Sequence, residues 1–188
     1  NFGEIFMKSI INEMPNRYNY YKGRYTVEIG YPWLSYGAII SIEQLIKPEH
    51  KVLEFGCGGS TIFFSKRCNS VRSYDLSEEW IGKVRTALPE PSNVSFIYGD
   101  YGEQEALIES IRKEPDEYYD WILSDIGKSY DLRLRIMNEA VSKLKKGMYM
   151  VVDNYEERHL ITFDYTGWDT YKFDVIGQAS VSSNFEVT

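Results

Sequence analysis

Apolar residues fall along the chain in short blocks that alternate with longer amphipathic stretches. Val52-Leu53, Val71–Tyr74, Val94–Tyr98, Tyr119–Ser124 and Met148–Val152 have the brevity and the β-branched or aromatic content of buried strands. Between them the apolar positions recur at helical spacing. Ile39, Ile42, Leu45 and Ile46 mark a helix over Ala38–Ile46 that Pro48 ends, and Trp80, Ile81, Val84 and Leu88 mark another that Ser77 caps and Pro89 stops. Glu103–Lys113 predicts a third. A fourth carries the stripe Leu132, Ile136, Ala140, Val141 and Leu144, with Lys143, Lys145, Lys146 and Gly147 as carboxyl-end signals. Trp168–Ile176 and Val181–Val187 alternate like two further strands, an antiparallel pair at one sheet edge. Strands joined by helical crossovers pair in parallel, so the pattern predicts an α/β doubly wound sheet of about seven strands, mostly parallel with an antiparallel edge strand. Residues 1–35, with Phe2, Phe6, Tyr18, Tyr20, Tyr21 and Tyr25, predict an aromatic-rich arm ahead of a single domain over 36–188. Such an arm serves either as a lid or as a segment docked on the domain's own surface.

Composition narrows the partners. The 188 residues are 43% hydrophobic and 26% charged, as in an ordinary globular chain that buries one core. A net charge of −7 opposes an extended nucleic-acid footprint, because phosphate binding needs clustered Lys and Arg. Nucleic acid is therefore an unexpected partner. No apolar run approaches the ~20 residues of a membrane span, and Asn1–Ile11 lacks the cationic and apolar blocks of a signal peptide. The expectation is a cytoplasmic protein without membrane contact, with a homodimer left open. Cys57 and Cys68 lack metal-ligand spacing and read as reduced small residues.

Candidate chemistry gathers at Lys51–Thr61. Val52-Leu53 runs into Glu54, then into Gly56, Gly58 and Gly59, and the helix-compatible Ile62-Phe63-Phe64 follows. A strand, a glycine turn and a helix start make a ligand cradle, where the backbone turns sharply and a Cβ would obstruct approach. The dinucleotide fingerprint would want a further glycine at position 61, which is Thr61. Every predicted parallel strand ends near an acid: Glu54, Asp75, Asp100, Asp125 and Asp153. Turn preference for Asp explains one or two of these. Asp75 follows Gly58 by about 17 residues, near the ~20 at which an acid accepts hydrogen bonds from a ribose. Asp100 with Tyr101 suits an adenine, the carboxylate near its amine and the ring against its face. Glu54 is placed to orient a cofactor amino group. A rim dense in carboxylates repels a pyrophosphate and favours a cationic sulfonium, hence S-adenosylmethionine over NAD.

Glu54-x-Gly56-x-Gly58, followed by Asp75, Asp100, Asp125 and the last two strands, resembles the class I S-adenosylmethionine-dependent methyltransferases, whose sheet is Rossmann-like. The resemblance implies a cofactor site built from Glu54, Gly56, Cys57, Gly58, Ser60, Thr61, Asp75, Leu76, Asp100, Tyr101 and Asp125. Ser124–Lys128 and Val152–Asn154 resemble segments of the divalent-cation-dependent small-molecule O-methyltransferases. That implies Mg²⁺ on Asp125, Asp153 and Asn154, a base at Lys128, catalysis by Lys128 with Asp125, and a hydroxyl of a sugar or phenol as acceptor. Hard oxygen donors of this kind suit Mg²⁺. The plainer alternatives are an Asx turn at Asp153-Asn154 and a capping role for Lys128. His159 is a second candidate base, and His50, before the first strand, is expected to be structural. Arg133 and Arg135 are either solvated or placed to meet an anionic substrate. A noncatalytic module on this fold and a nucleotide-dependent oxidoreductase are the rival functions.

Overall fold

The computed structural model describes residues 26–126, 129–154, 162–173 and 183–187. A single turn, α1 (Thr26–Ile29), and α2 (Tyr36–Leu45) precede β1 (Lys51–Phe55). Then come α3 (Gly59–Ser65), β2 (Ser70–Asp75), α4 (Glu78–Ala87), β3 (Val94–Tyr98), α5 (Gln104–Arg112), β4 (Tyr119–Ser124), α6 (Tyr130–Ala140), β5 (Leu144–Asp153), β6 (Asp169–Phe173) and β7 (Ser183–Val187). The predicted aromatic positions from Phe2 to Tyr25 lie outside the described residues.

The seven strands form one sheet in the order β3-β2-β1-β4-β5-β7-β6. β1 to β5 run parallel, and β7 pairs antiparallel with both β5 and β6. The antiparallel strand thus lies one place in from the edge, which β6 occupies. Strand order reverses between β1 and β4, and a ligand crevice is expected outside the carboxyl ends of those strands.

The pleat sorts the core onto two faces. Leu53, Phe55, Tyr74, Ile122, Met150 and Val152 point to one, where Ile108 and Ile111 of α5 and Leu132, Ile136 and Ala140 of α6 cover them. Val52, Val71, Trp121, Leu123 and Val151 point to the other, under Ile39 and Ile42 of α2 and Phe63 and Phe64 of α3. Ser77 caps α4 as predicted, its Oγ accepting from the Trp80 amide at 3.2 Å.

Of the carboxyl-end signals, Lys145, Lys146 and Gly147 belong to a strand and Lys143 to the turn before it. Helix α6 stops at Ala140, a 3₁₀ turn spans Val141–Lys143, and β5 starts at Leu144. Leu144 pairs with Tyr119 but Tyr149 pairs with Trp121, so β5 bulges between them, with Gly147 at φ 73°. Lys145 Nζ reaches Asp120 Oδ1 at 2.7 Å, a charge partner on the neighbouring strand that no local pattern reveals. Next to it His50 takes the structural part expected of it: its Nδ1 accepts from Trp121 Nε1 at 2.9 Å and from the Lys47 amide at 3.2 Å.

The segment before α2 packs directly on the glycine turn. A Cβ at Gly59 would run into the Tyr31 carbonyl oxygen and lie 2.6 Å from that of Thr26, whereas one at Gly58 would meet, among the described residues, only Thr26 Oγ1, at 3.8 Å. Gly59→Ala should therefore cost roughly 1–3 kcal/mol of unfolding free energy in urea melts followed by circular dichroism, and Gly58→Ala a small fraction of that.

Candidate functional site

At the switch point the turn after β1 and the end of β4 touch. Gly56 leaves β1 at φ 97°, a conformation side chains rarely adopt, and a Cβ there would stand 2.6 Å from the Asp125 carbonyl oxygen. The Gly56 amide donates to Tyr74 O at 2.8 Å and the Asp125 amide to Phe55 O at 2.9 Å, which carries the strand pairing into the turns. Asp75 ends β2 beside them. Its Oδ2 accepts from the Cys57 amide and its Oδ1 from the Ser77 amide, both at 2.9 Å, so the carboxylate is fixed to the glycine turn on one side and the start of α4 on the other. Trp80 Nε1 donates to Cys57 O at 2.7 Å and stands the indole against the turn.

These groups wall a cleft of about 600 Å³, a volume in the range of small-ligand sites. Of the predicted cofactor residues, Gly56, Cys57, Asp75, Leu76, Tyr101 and Asp125 line it. Glu54, Gly58, Ser60, Thr61 and Asp100 stand behind or beside it. Asp100 caps the 3₁₀ turn Tyr101–Glu103, its Oδ1 accepting from the Gly102 amide at 2.8 Å, and Tyr101 projects half-exposed. Ser77, Trp80 and Ile126 also line the cleft. The sequence marked the first two only as a cap and a core position. Their spacing within the first turn after Asp75 was the available signal.

Glu54 is wholly enclosed and braces the turn from below. Its Oε2 accepts from Thr61 Oγ1 at 2.6 Å and Ser73 Oγ at 2.5 Å, and Thr61 Oγ1 in turn accepts from the Gly58 amide at 2.9 Å. Among the described residues Glu54 Oε1 has no hydrogen-bond partner. Burial pushes the carboxyl up to about 7 against the pull of its hydroxyl donors. A folded-state value above the unfolded one means the folded protein holds this proton longer. The stabilisation it brings is complete below about pH 4.5 and is lost as pH rises to about 7. Glu54→Gln is expected to flatten that part of the melting-temperature profile between pH 4.5 and 8, measured by scanning calorimetry, and to be worth ~3 kcal/mol at the upper end.

On the β4–β5 side, Asp125 follows β4 and Asp153 ends β5. Burial raises the Asp125 carboxyl, and Arg133 works in the opposite direction. Arg133, from the first turn of α6, is itself buried. Its Nε donates to Ile126 O at 3.2 Å, its Nη1 to Asp153 O at 3.0 Å and its Nη2 to Asp125 Oδ1 at 3.4 Å. Asn154 follows in a left-handed conformation, φ 54°, which Asn tolerates. Of the implied metal set, then, Asp125 meets the arginine through its carboxylate and Asp153 meets it through its backbone carbonyl. Among the described residues no group of three His, Cys, Asp or Glu side chains is arranged to hold a metal. A guanidinium already stands 3.4 Å from Asp125 Oδ1, and the described residues give Mg²⁺ no support. Lys128 and His159, the candidate bases, lie outside the described residues.

Solved structures share this arrangement of sheet and helices. An rRNA methylase from Streptococcus thermophilus superposes with a TM-score of 0.61 at 15% identity, over 80% of this chain and 95% of its own. The chain has the class I methyltransferase fold. The N-methyltransferase NodS from Bradyrhizobium japonicum, in complex with S-adenosylhomocysteine, matches with a TM-score of 0.57 at 14% identity, over 79% of this chain and 82% of its own. A tRNA methyltransferase from Aquifex aeolicus matches with a TM-score of 0.58 at 12% identity, over 79% of this chain and 66% of its own. No protein-family model and no curated protein matches the chain. Enzymes named for RNA thus share the methyltransferase fold, so the expectation against nucleic acid rests on charge alone. No helix among the described residues is long and apolar enough to cross a membrane.

Proposed function

We propose that the chain is an S-adenosylmethionine-dependent methyltransferase acting on a hydroxyl of a small molecule, a sugar or a phenol. The observation that carries this reading is Asp75, whose two carboxylate oxygens are pinned by the Cys57 and Ser77 amides at the edge of the cleft. Each oxygen keeps a lone pair for a ribose hydroxyl. The half-exposed Tyr101 offers a ring face to an adenine. No Lys or Arg is among the described residues that line the cleft, while Asp75 and Asp125 are. That balance favours a sulfonium over a pyrophosphate and weighs against the oxidoreductase. The net charge of −7 supports a small acceptor over RNA.

Methyl transfer to oxygen is an in-line displacement whose main demand is alignment of nucleophile, methyl and sulfur. Asp125 stands where β4 meets the cleft, with its carboxyl raised by burial towards the working pH. It is the group assigned to take the acceptor's proton, with Lys128 as the second candidate.

Isothermal titration with S-adenosylhomocysteine tests the cofactor. Binding to the natural sequence is expected, and Asp75→Ala should weaken it at least about tenfold. A folded sample that ignores this ligand and takes up reduced nicotinamide dinucleotide would sink the reading. Asp125→Asn, assayed with labelled S-adenosylmethionine on a panel of phenols, sugars and amines, should lower kcat ~10²-fold or more while changing cofactor affinity far less. Turnover confined to the amines would reassign the acceptor.

A further inference from the structure

We infer that Trp80 is a positioning residue of the cleft, holding the glycine turn so that Asp75 meets a ribose in one fixed orientation. The inference rests on the methyltransferase reading of the cleft and adds to it a residue outside the set that the sequence marked for the cofactor. Hydrogen bonds run here in a closed circuit. The Cys57 amide donates to Asp75 Oδ2 at 2.9 Å and Trp80 Nε1 donates to Cys57 O at 2.7 Å. The Trp80 amide donates to Ser77 Oγ at 3.2 Å, and the Ser77 amide donates to Asp75 Oδ1 at 2.9 Å, which closes the circuit on the carboxylate where it began. Cys57, Asp75, Ser77 and Trp80 all line the cleft.

The link from Trp80 Nε1 is the one in this circuit that a phenylalanine could not make. The other donors are backbone amides, which nearly any residue carries, whereas the indole N–H is a side-chain donor that accepts nothing in return. Its ring is half-buried and packs against Ile62, Ile81 and Val84, so the donor is aimed at the turn by a rotamer that the core fixes. Cys57 O belongs to the peptide unit that joins Cys57 to Gly58, and the amide of that same unit donates to Thr61 Oγ1 at 2.9 Å. The unit is gripped at its oxygen from α4 and at its nitrogen from α3. Such a grip matters because glycines flank Cys57, and Gly56 already stands at φ 97°, where the backbone has freedom that a side chain would deny. Releasing the oxygen would loosen the turn on both sides of Cys57, and with it the amide that holds Asp75 Oδ2.

Trp80→Phe keeps an aromatic ring and removes the donor. Isothermal titration of the full chain with S-adenosylhomocysteine, and with an analogue lacking both ribose hydroxyls, reads the consequence at Asp75. The variant should weaken S-adenosylhomocysteine about fivefold and the analogue less than about twofold. A ring that only fills the core would lower the melting temperature and leave the difference between the two ligands unmoved. Equal losses for both ligands, or no loss for the first, overturn the proposal. A second measurement uses the natural sequence and does not depend on the variant folding. Linkage is reciprocal, so an indole bond that aids the ligand must itself be held by the ligand, and solvent exchange of the Trp80 indole proton, followed by nuclear magnetic resonance, should slow about fivefold at saturation with S-adenosylhomocysteine. An unchanged exchange rate overturns the proposal. Failure of the methyltransferase reading shows separately, as no heat with S-adenosylhomocysteine but heat with reduced nicotinamide dinucleotide, whose ribose then serves in the exchange measurement. Binding of neither ligand overturns both.

Discussion

The approach of the Gly56 backbone to the Asp125 carbonyl constrains everything at this end of the sheet. Where β1 and β4 diverge, the chain leaving β1 must turn at φ 97° and pass within a distance that a Cβ would forbid. With Gly56 there, the Phe55 and Tyr74 carbonyls are satisfied beyond the strand ends and the Cys57 amide is turned towards Asp75. The cleft is therefore a by-product of how closely two strand ends pack. Beneath it, Thr61 and Ser73 hold Glu54, and Thr61 receives the Gly58 amide, so the turn is braced from the buried side by side chains of three successive elements.

The two halves of the cleft are built differently. On the β1–β2 side a carboxylate is held by backbone amides, Cys57 and Ser77 on Asp75, and nothing cationic is needed. On the β4–β5 side the buried Arg133 stands 3.4 Å from the Asp125 carboxylate and donates to the Asp153 carbonyl oxygen. The first arrangement leaves acceptor capacity free for ligand hydroxyls. The second engages Asp125 Oδ1 with Arg133 at 3.4 Å. That difference fits the proposed cofactor on the one side and the proposed role of Asp125 on the other.

Much of this is legible along the chain. Ordered acids at strand ends, together with the glycines after β1, suffice to locate the cleft, and Gly56, Cys57, Asp75, Leu76, Tyr101 and Asp125 do line it. The reading of Glu54 as a residue facing the cofactor shows the limit. An acid beside a glycine turn looks alike in sequence whether it faces the ligand or the core, and here it is enclosed by Thr61 and Ser73. Trp80 shows the converse, since a core-spaced aromatic also walls the cleft through its indole bond to Cys57 O. Composition near the strand ends also says nothing of what a helix eight residues beyond Asp125 brings back to it, the Arg133 guanidinium at 3.4 Å.

By itself the sequence determined the order and kind of the elements. Apolar periodicity is a local property, and β3 and β4 fall at the predicted bounds of Val94–Tyr98 and Tyr119–Ser124. Tertiary structure decided whatever depends on partners distant in the chain. It set Leu144 opposite Tyr119 and so turned a helix end into the start of β5, it slid β7 between β5 and β6, and it closed Tyr31 and Thr26 over Gly59. It also brought Arg133 to the aspartates. A guanidinium on α6 meets the ends of β4 and β5 only through the packing of helix on sheet, and no spacing within the chain encodes that distance.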